Sequence, residues 1–439
     1  MISRFVLTFA IIATGALSVA DATEPAEIVF WHFWGGRDRP IVERIVAGFN
    51  ESQDRYRVRA IAMPGSNLDL KFFLSVAGGD PPDLLNHDDP VVGDWAYRGV
   101  LTPLDELAAS NEIKRLKTWL FPAARELGTA QGQLYALCNG LDIRALYCNQ
   151  TLLAEHGIRL PETIEDLDQI AETIAPASGS VGRHQMGYLP DPRRLWAWGV
   201  VFGGRFVDST GSITADDPKI VAALTWMAGF SERYGPSEVA AFRSGEQALT
   251  GAAFPLLANR RYAVVMDGQW RLRDLSEAAA AAKQNGEKAD EIAVVPLPPP
   301  SGGVANAGWV NGNFFVVPQS ARQKQGAWEF MKYWTGFSGN VDAAAKACAD
   351  AGWIPPSQEI VEQAPYQRAL EEQPLLREFV VLAASANERP VPSLPVSSFY
   401  YQEVVNAAQQ VMYRGADPHT ELKEATGRVQ RRLQEVLDE

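Results

Sequence analysis

The side chains best placed to do chemistry in this chain are its tryptophans, twelve among 439 residues. An indole breaks no bonds, so the chemistry it offers is contact. Trp31-His32-Phe33-Trp34-Gly35-Gly36 follows a strand-like run, and Trp196 and Trp198 precede Gly203-Gly204. Trp270 follows Asp267-Gly268-Gln269, and Trp309 sits in Gly308-Trp309-Val310-Asn311-Gly312-Asn313. A flat ring beside Gly, Asn and Asp suits a hydroxyl-rich guest, whose C–H face stacks on the indole while its hydroxyls bond to amides and carboxylates. Trp34, Trp270 and Trp309 are expected to face one shared cavity, whereas Trp226 and Trp328 lie on helix faces and read as core.

Motifs for bond-breaking chemistry do not appear. The sequence has no Gly-x-Ser-x-Gly elbow, no phosphate-cradling Gly-x-x-x-x-Gly-Lys and no Gly-x-Gly-x-x-Gly after a strand. Five scattered His and three Cys (Cys138, Cys148, Cys348) make neither a metal cage nor a disulfide framework, so no metal or cofactor is expected. The acid pairs Asp88-Asp89 and Asp216-Asp217 could serve a glycan-active enzyme, which needs two carboxyls across a bond, but adjacent acids more often cap and solvate.

The elements that must position these residues alternate in type. Ile28–Phe33, Tyr56–Ala62 and Asp83–Leu85 read as strands. Between them run helices opened by Pro40, with Ile41, Val42, Ile45, Val46 and Phe49 on one face, and by Leu68, stopped at Gly78-Gly79. Gly132–Leu137 and Ile143–Asn149 are extended pieces around Asn139-Gly140. Further on, Thr163 and Asp217-Pro218 open two more helices. Strands separated by helices imply α/β layering with a largely parallel sheet, and in such sheets ligands bind beyond the strands' carboxyl ends.

Composition bounds the partners. The 40 Lys and Arg against 53 Asp and Glu give a net charge of −13 with no basic run, which argues against nucleic acid. Arg4 followed by the apolar Phe5–Leu17 and Ala20-Asp21-Ala22 predicts a signal peptide over residues 1–22, with no cysteine at the junction for a lipid anchor. The mature chain is therefore expected outside the cytoplasm.

The order of motifs resembles the family 1 extracellular solute-binding proteins of ABC importers, in their carbohydrate group. The likeness is carried by Ile28-Val29-Phe30-Trp31-His32-Phe33-Trp34, Gly78-Gly79-Asp80-Pro81-Pro82-Asp83, and Ala145-Leu146-Tyr147-Cys148-Asn149. It continues through His156-Gly157-Ile158, Pro161-Glu162-Thr163, Met266-Asp267-Gly268-Gln269-Trp270 and Gly352-Trp353-Ile354-Pro355. The resemblance implies a two-lobe periplasmic-binding-protein fold, each lobe a mainly parallel sheet flanked by helices, joined by hinge crossings. The lobes would be 23–139 with 296–338, and 140–295 with 339–439.

It also implies a monomeric periplasmic binder that takes a carbohydrate into the cleft and delivers it to permease subunits. Carried over by position, the contacts would be Trp34, Gly35, Asp88, Asp89, Trp309 and Asn311 from the first lobe, with His32 beside them. Arg193, Arg194, Trp196, Trp270 and Tyr400 would come from the second. Because Arg suits a planar bidentate anion, Arg193-Arg194 opens an alternative ligand: a sugar acid, sulfonate or phosphate ester.

Overall fold

Alternation of side chains builds the first strand and decides which of them lie inside. In β1 (Ala26–His32), Ile28, Phe30 and His32 are buried while the residues between them are not. The other strands are β2 (Tyr56–Ala62), β3 (Leu84–His87), β4 (Thr129–Ala130), β5 (Gln133–Leu134), β6 (Ala136–Asp142), β7 (Arg144–Asn149), β8 (Met186–Tyr188), β9 (Tyr262–Gly268), β10 (Ile292–Val295), β11 (Ala307–Trp309), β12 (Asn311–Val316) and β13 (Asn387–Arg389). The computed structural model describes residues 24–63, 65, 67–88, 90–174, 185–249, 255–337 and 339–438. The expected signal peptide and Asp89 lie outside the described residues.

Two sheets organise the chain. The first has the order β2-β1-β3-β12-β6, the second β10-β7-β9-β8. In the first, β1 pairs in parallel with β2 and β3, and only β12 runs against its neighbours. In the second, β7 is antiparallel to β10 and β9, while β8 is parallel to β9. This is the expected two-lobe α/β fold, with one reversed strand in each sheet.

Local signals explain the helices. Pro stands in the first turn of Arg39–Ser52, whose Ile41, Val42 and Phe49 are buried. Ahead of Ile164–Ile174, the Thr163 hydroxyl accepts from the Asp166 N–H at 3.2 Å. The Asp166 carboxylate accepts in return from the Thr163 N–H at 2.8 Å, a reciprocal cap. Asp217 caps Pro218–Tyr234 through the Lys219 N–H at 2.7 Å. Asp83, buried at the entry to β3, binds the N–H of Val29 at 2.9 Å and those of Arg322 and Gln323 at 2.9 and 2.8 Å. One carboxylate thus ties two strands to the start of helix Lys324–Thr335.

The chain passes between sheets at Ile143, flanked by Asp142, which pairs with Asn311 of β12, and Arg144, which pairs with Gly268 of β9. This lies past the break expected at Asn139-Gly140, because β6 keeps its ladder with β12 to its last residue. The helix Val341–Ala351 packs on the first-lobe side, where Arg44 pairs with Asp350 at 2.5 Å and the Phe121 N–H donates to Pro356 at 2.8 Å. The first lobe therefore holds more of the late chain than the expected boundary at 338. All three cysteines are buried and free of disulfides.

Candidate functional site

The crossing at Ile143 positions the residues around it. Gln269 locks it: its side-chain oxygen accepts from the Ile143 N–H at 3.1 Å, and its amide donates to the Leu141 carbonyl at 3.0 Å and to Asp142 at 3.2 Å. Strand β9 and the turn after it are thereby held against the strand joining the lobes, and Trp270 follows immediately.

Arg144 opens β7 at this point and is 6% exposed. One of its terminal nitrogens donates to the Asp142 carbonyl at 2.8 Å, and its Nε is buried without a partner. Its guanidinium lies 4.1 Å from the Trp309 ring and 5.5 Å from the Trp270 ring, both in cation–π range. Trp309 in turn lies 5.7 Å from Tyr401, and Tyr401 stacks on Trp196 at 6.2 Å and 14°. The result is a row, Trp196–Tyr401–Trp309–Arg144–Trp270, drawn from both sides of the crossing. Trp270 is its most open ring, at 38% exposure.

Charged groups flank the row. Arg194, 8% exposed, reaches Asp267 at 3.6 Å and lies 5.9 Å from the Trp309 ring, with its Nε also buried and unpartnered. Arg193 instead forms two bonds to Asp191, each 3.0 Å. Burial works to raise the Asp191 pKa, but the Arg193 bonds and the fields of Arg243 and Arg194 outweigh it and hold the carboxyl well below its usual range. Burial, and then the field of Arg194, pull Arg144 down to about 10. Among the described residues no group of three or more His, Cys, Asp or Glu side chains converges as a metal cage.

At the Trp196 end a cavity of about 740 Å³ opens between the lobes. Glu126 and Thr129 line it from the first lobe, Trp196, Gly203 and Arg205 from the second, and Arg389 from β13.

Of the residues expected from sequence, Trp196, Trp270, Trp309 and Arg194 come together here, with Arg193 alongside. Asn311 donates its side-chain amide to the Asp88 carbonyl, joining those two. Trp34 behaves differently. It is 5% exposed and packed in a three-indole cluster with Trp334 at 5.3 Å and Trp353 at 5.2 Å, so it is part of the core. His32 is buried between Phe30 and Trp34. Tyr400 is fully buried, its hydroxyl donating to the Phe206 carbonyl at 2.5 Å, and it is the next residue, Tyr401, that turns toward the row. Gly35 is exposed at the start of a loop whose Arg37 and Asp38 pair with Asp274 at 3.5 Å and Arg273 at 2.9 Å on the helix Arg271–Gln284, which follows Trp270.

Sequence reasoning missed Arg144, Asp191 and Tyr401. Arg144 did leave a signal, being the one charge in the otherwise buried run Arg144–Asn149.

The family described as bacterial extracellular solute-binding protein matches residues 44–372. The maltotriose-binding protein of Pyrococcus abyssi is 23% identical over 309 residues, 67% of this chain and 59% of that protein, so the chain spans less than two thirds of this relative's length. Among solved structures, CpMnBP1 with mannotriose bound superposes with a TM-score of 0.74 at 23% identity, over 92% of this chain and 99% of that one. The sugar-binding protein MalE of the phytopathogen Xanthomonas citri gives 0.74 at 18% identity, over 94% and 98%.

Proposed function

The chain belongs to the bacterial extracellular solute-binding proteins, and from that premise we propose that it captures a carbohydrate between its lobes and presents it to the permease of an ABC importer. The observation carrying this reading is the row Trp196–Tyr401–Trp309–Arg144–Trp270 at the lobe crossing. Trp270, the exposed ring, offers a stacking face to the C–H face of a saccharide with the buried Trp309 and Trp196 (6% and 2% exposed) behind it, and the guanidinium and nearby carboxylates offer donors and acceptors to its hydroxyls. A cavity of about 740 Å³ beside the row is of the size small-ligand sites take. The names of the relatives, which bind maltotriose or mannotriose, support the same substrate class.

On this reading residues 1–22 are removed on export, and the mature protein works as a monomer in the periplasm. Its lobes rock about the β6–β7 crossing, with residues up to Asp142, about 296–338 and the helix Val341–Ala351 on one side and most of the remainder on the other. Asp88, Asp89 and Asn311 would meet the ligand from the first lobe, and Arg193 and Arg194 from the second. Capture without turnover is part of the proposal: an oligosaccharide incubated with the protein should be recovered intact.

The test is a titration of residues 23–439 against maltotriose, mannobiose, mannotriose and larger maltodextrins. A binder should change tryptophan emission, because three indoles line the row, and should raise the melting temperature by ligand linkage. Silence of both signals across the panel and across acidic saccharides would overturn the reading, as would steady release of shorter sugars.

A further inference from the structure

Four arginines lie along the row, Arg144 and Arg194 against Trp309, Arg193 near Tyr401 and Arg271 next to Trp270, and their carboxylate partners are unevenly shared. Arg193 is matched by Asp191 in a two-bond pair. Arg271 is matched twice, by Asp267 at 2.9 Å and Asp274 at 3.1 Å. Arg144 and Arg194 remain, and they are the two buried ones.

Among the described residues no carboxylate lies within ion-pair distance of Arg144, and Arg194 has only a 3.6 Å approach to the Asp267 already engaged by Arg271. Both Nε–H groups are buried and donate to nothing. The other ionisable groups facing Arg144 are Asp142, Asp267, Glu388 and Tyr401. Burial raises the pKa of Asp142, Glu388 and Tyr401, Glu388 to about 8 despite the field of Arg144. Arg144 and Arg194 are left out of water with Asp267, already engaged by Arg271, as the carboxylate they share, each guanidinium in the other's field.

A buried cation with no counter-ion is costly to the empty protein, and an arriving anion relieves that cost. We infer that the saccharide bound between the lobes carries a carboxylate, as a uronic acid does, gripped by Arg144 and Arg194 at the edge of Trp309. This rests on the carbohydrate reading and narrows it. A carboxylate is planar and takes two parallel N–H bonds from a guanidinium fork. A neutral sugar hydroxyl accepts one such bond but leaves the charge surplus where it was. The pair differs from the Arg193-Arg194 dipeptide that sequence alone suggests, because Arg193 is already neutralised by Asp191. The net charge of −13 gives an anion no long-range attraction, so selectivity must come from contact.

The experiment titrates residues 23–439 with di- and trisaccharides of galacturonic, glucuronic and mannuronic acid, each beside its neutral galactose, glucose or mannose counterpart. At least one acid should bind about 10-fold or more tighter than its counterpart. Arg144→Met should erase that advantage while leaving the melting temperature of the unliganded protein unchanged or higher, since it removes an uncompensated buried charge. Arg194→Met should reduce the advantage independently. Neutral saccharides binding as tightly as every acid would overturn the inference and leave carbohydrate capture standing, and an acid preference that survives Arg144→Met and Arg194→Met would overturn the assignment of these residues. No binding by either series would bring down both.

Discussion

Gly268→Ala tests whether the Trp270 indole is a binding platform or only a cover. Gly268 ends β9 opposite Arg144, and a Cβ added there would lie 2.1 and 2.2 Å from two atoms of the Trp270 ring. Carbon atoms rest at roughly 3.5–4.0 Å, so the ring must recede by about 1.5 Å or more. Trp270 is 38% exposed and free to swing outward, so the fold should lose little stability. What is lost is the ring's place above Arg144 and its alignment with Trp309. An aromatic stacking contact contributes about 0.5–1.5 kcal/mol beyond burial, so affinity for the tightest saccharide of the panels above should fall roughly 2- to 13-fold. Isothermal titration gives the affinity, and a melting curve on the same samples controls for folding. Trp270→Ala sets the full value of the ring, and Gly268→Ala should reproduce most of that loss. Unchanged affinity in Gly268→Ala, with Trp270→Ala also binding normally, would refute the role given to this indole.

Two further outcomes are expected. Asp38 pairs with Arg273 at 2.9 Å between the loop after β1 and the helix after Trp270, both side chains partly exposed. Asp38→Asn should weaken saccharide binding by roughly 0.2–1 kcal/mol at low salt and by less at about 0.5 M salt, where screening already mutes the pair; equal affinity at low salt would disconnect the pair from lobe closure. His32 is held at about 4 by burial and then by the charge of Arg39, against 6.5 unfolded. Because the unfolded chain takes up the proton first, the stability tied to neutral His32 is present above pH 6.5 and is lost as pH falls toward 4. Between pH 7.5 and 4.5 the wild type should lose about 2.5 kcal/mol more than His32→Phe in urea unfolding, and parallel pH profiles would show that the shift is not there.

Much of the frame was legible because it rests on neighbours close in sequence. Pro40, Thr163 and Asp217 mark helix starts by chemistry completed within four residues, and the alternation of Ile28, Phe30 and His32 makes β1 from one short run. Asp83 was legible only as part of a family-like motif. Its work, binding N–H groups at Val29, Arg322 and Gln323, depends on partners from three distant places.

The site divides along the same line. Residue type alone marked the indoles beside Gly, Asp and Asn, since only certain side chains can stack on a saccharide, and so named Trp196, Trp270 and Trp309. Which of two adjacent residues joins the row, Tyr400 or Tyr401, turns on where one helix packs. Whether Trp34 is a platform or a brick turns on Trp334 and Trp353, hundreds of positions away. Arg144 looks like a misplaced charge in an apolar strand until the crossing at Ile143 sets it between two indoles. The elements, their caps and the kind of surface available were readable from the order of residues, because they follow from local dihedral and hydrogen-bonding preferences. Which charges are paired and which are left over came from the folded chain, because that balance is struck between groups far apart in sequence.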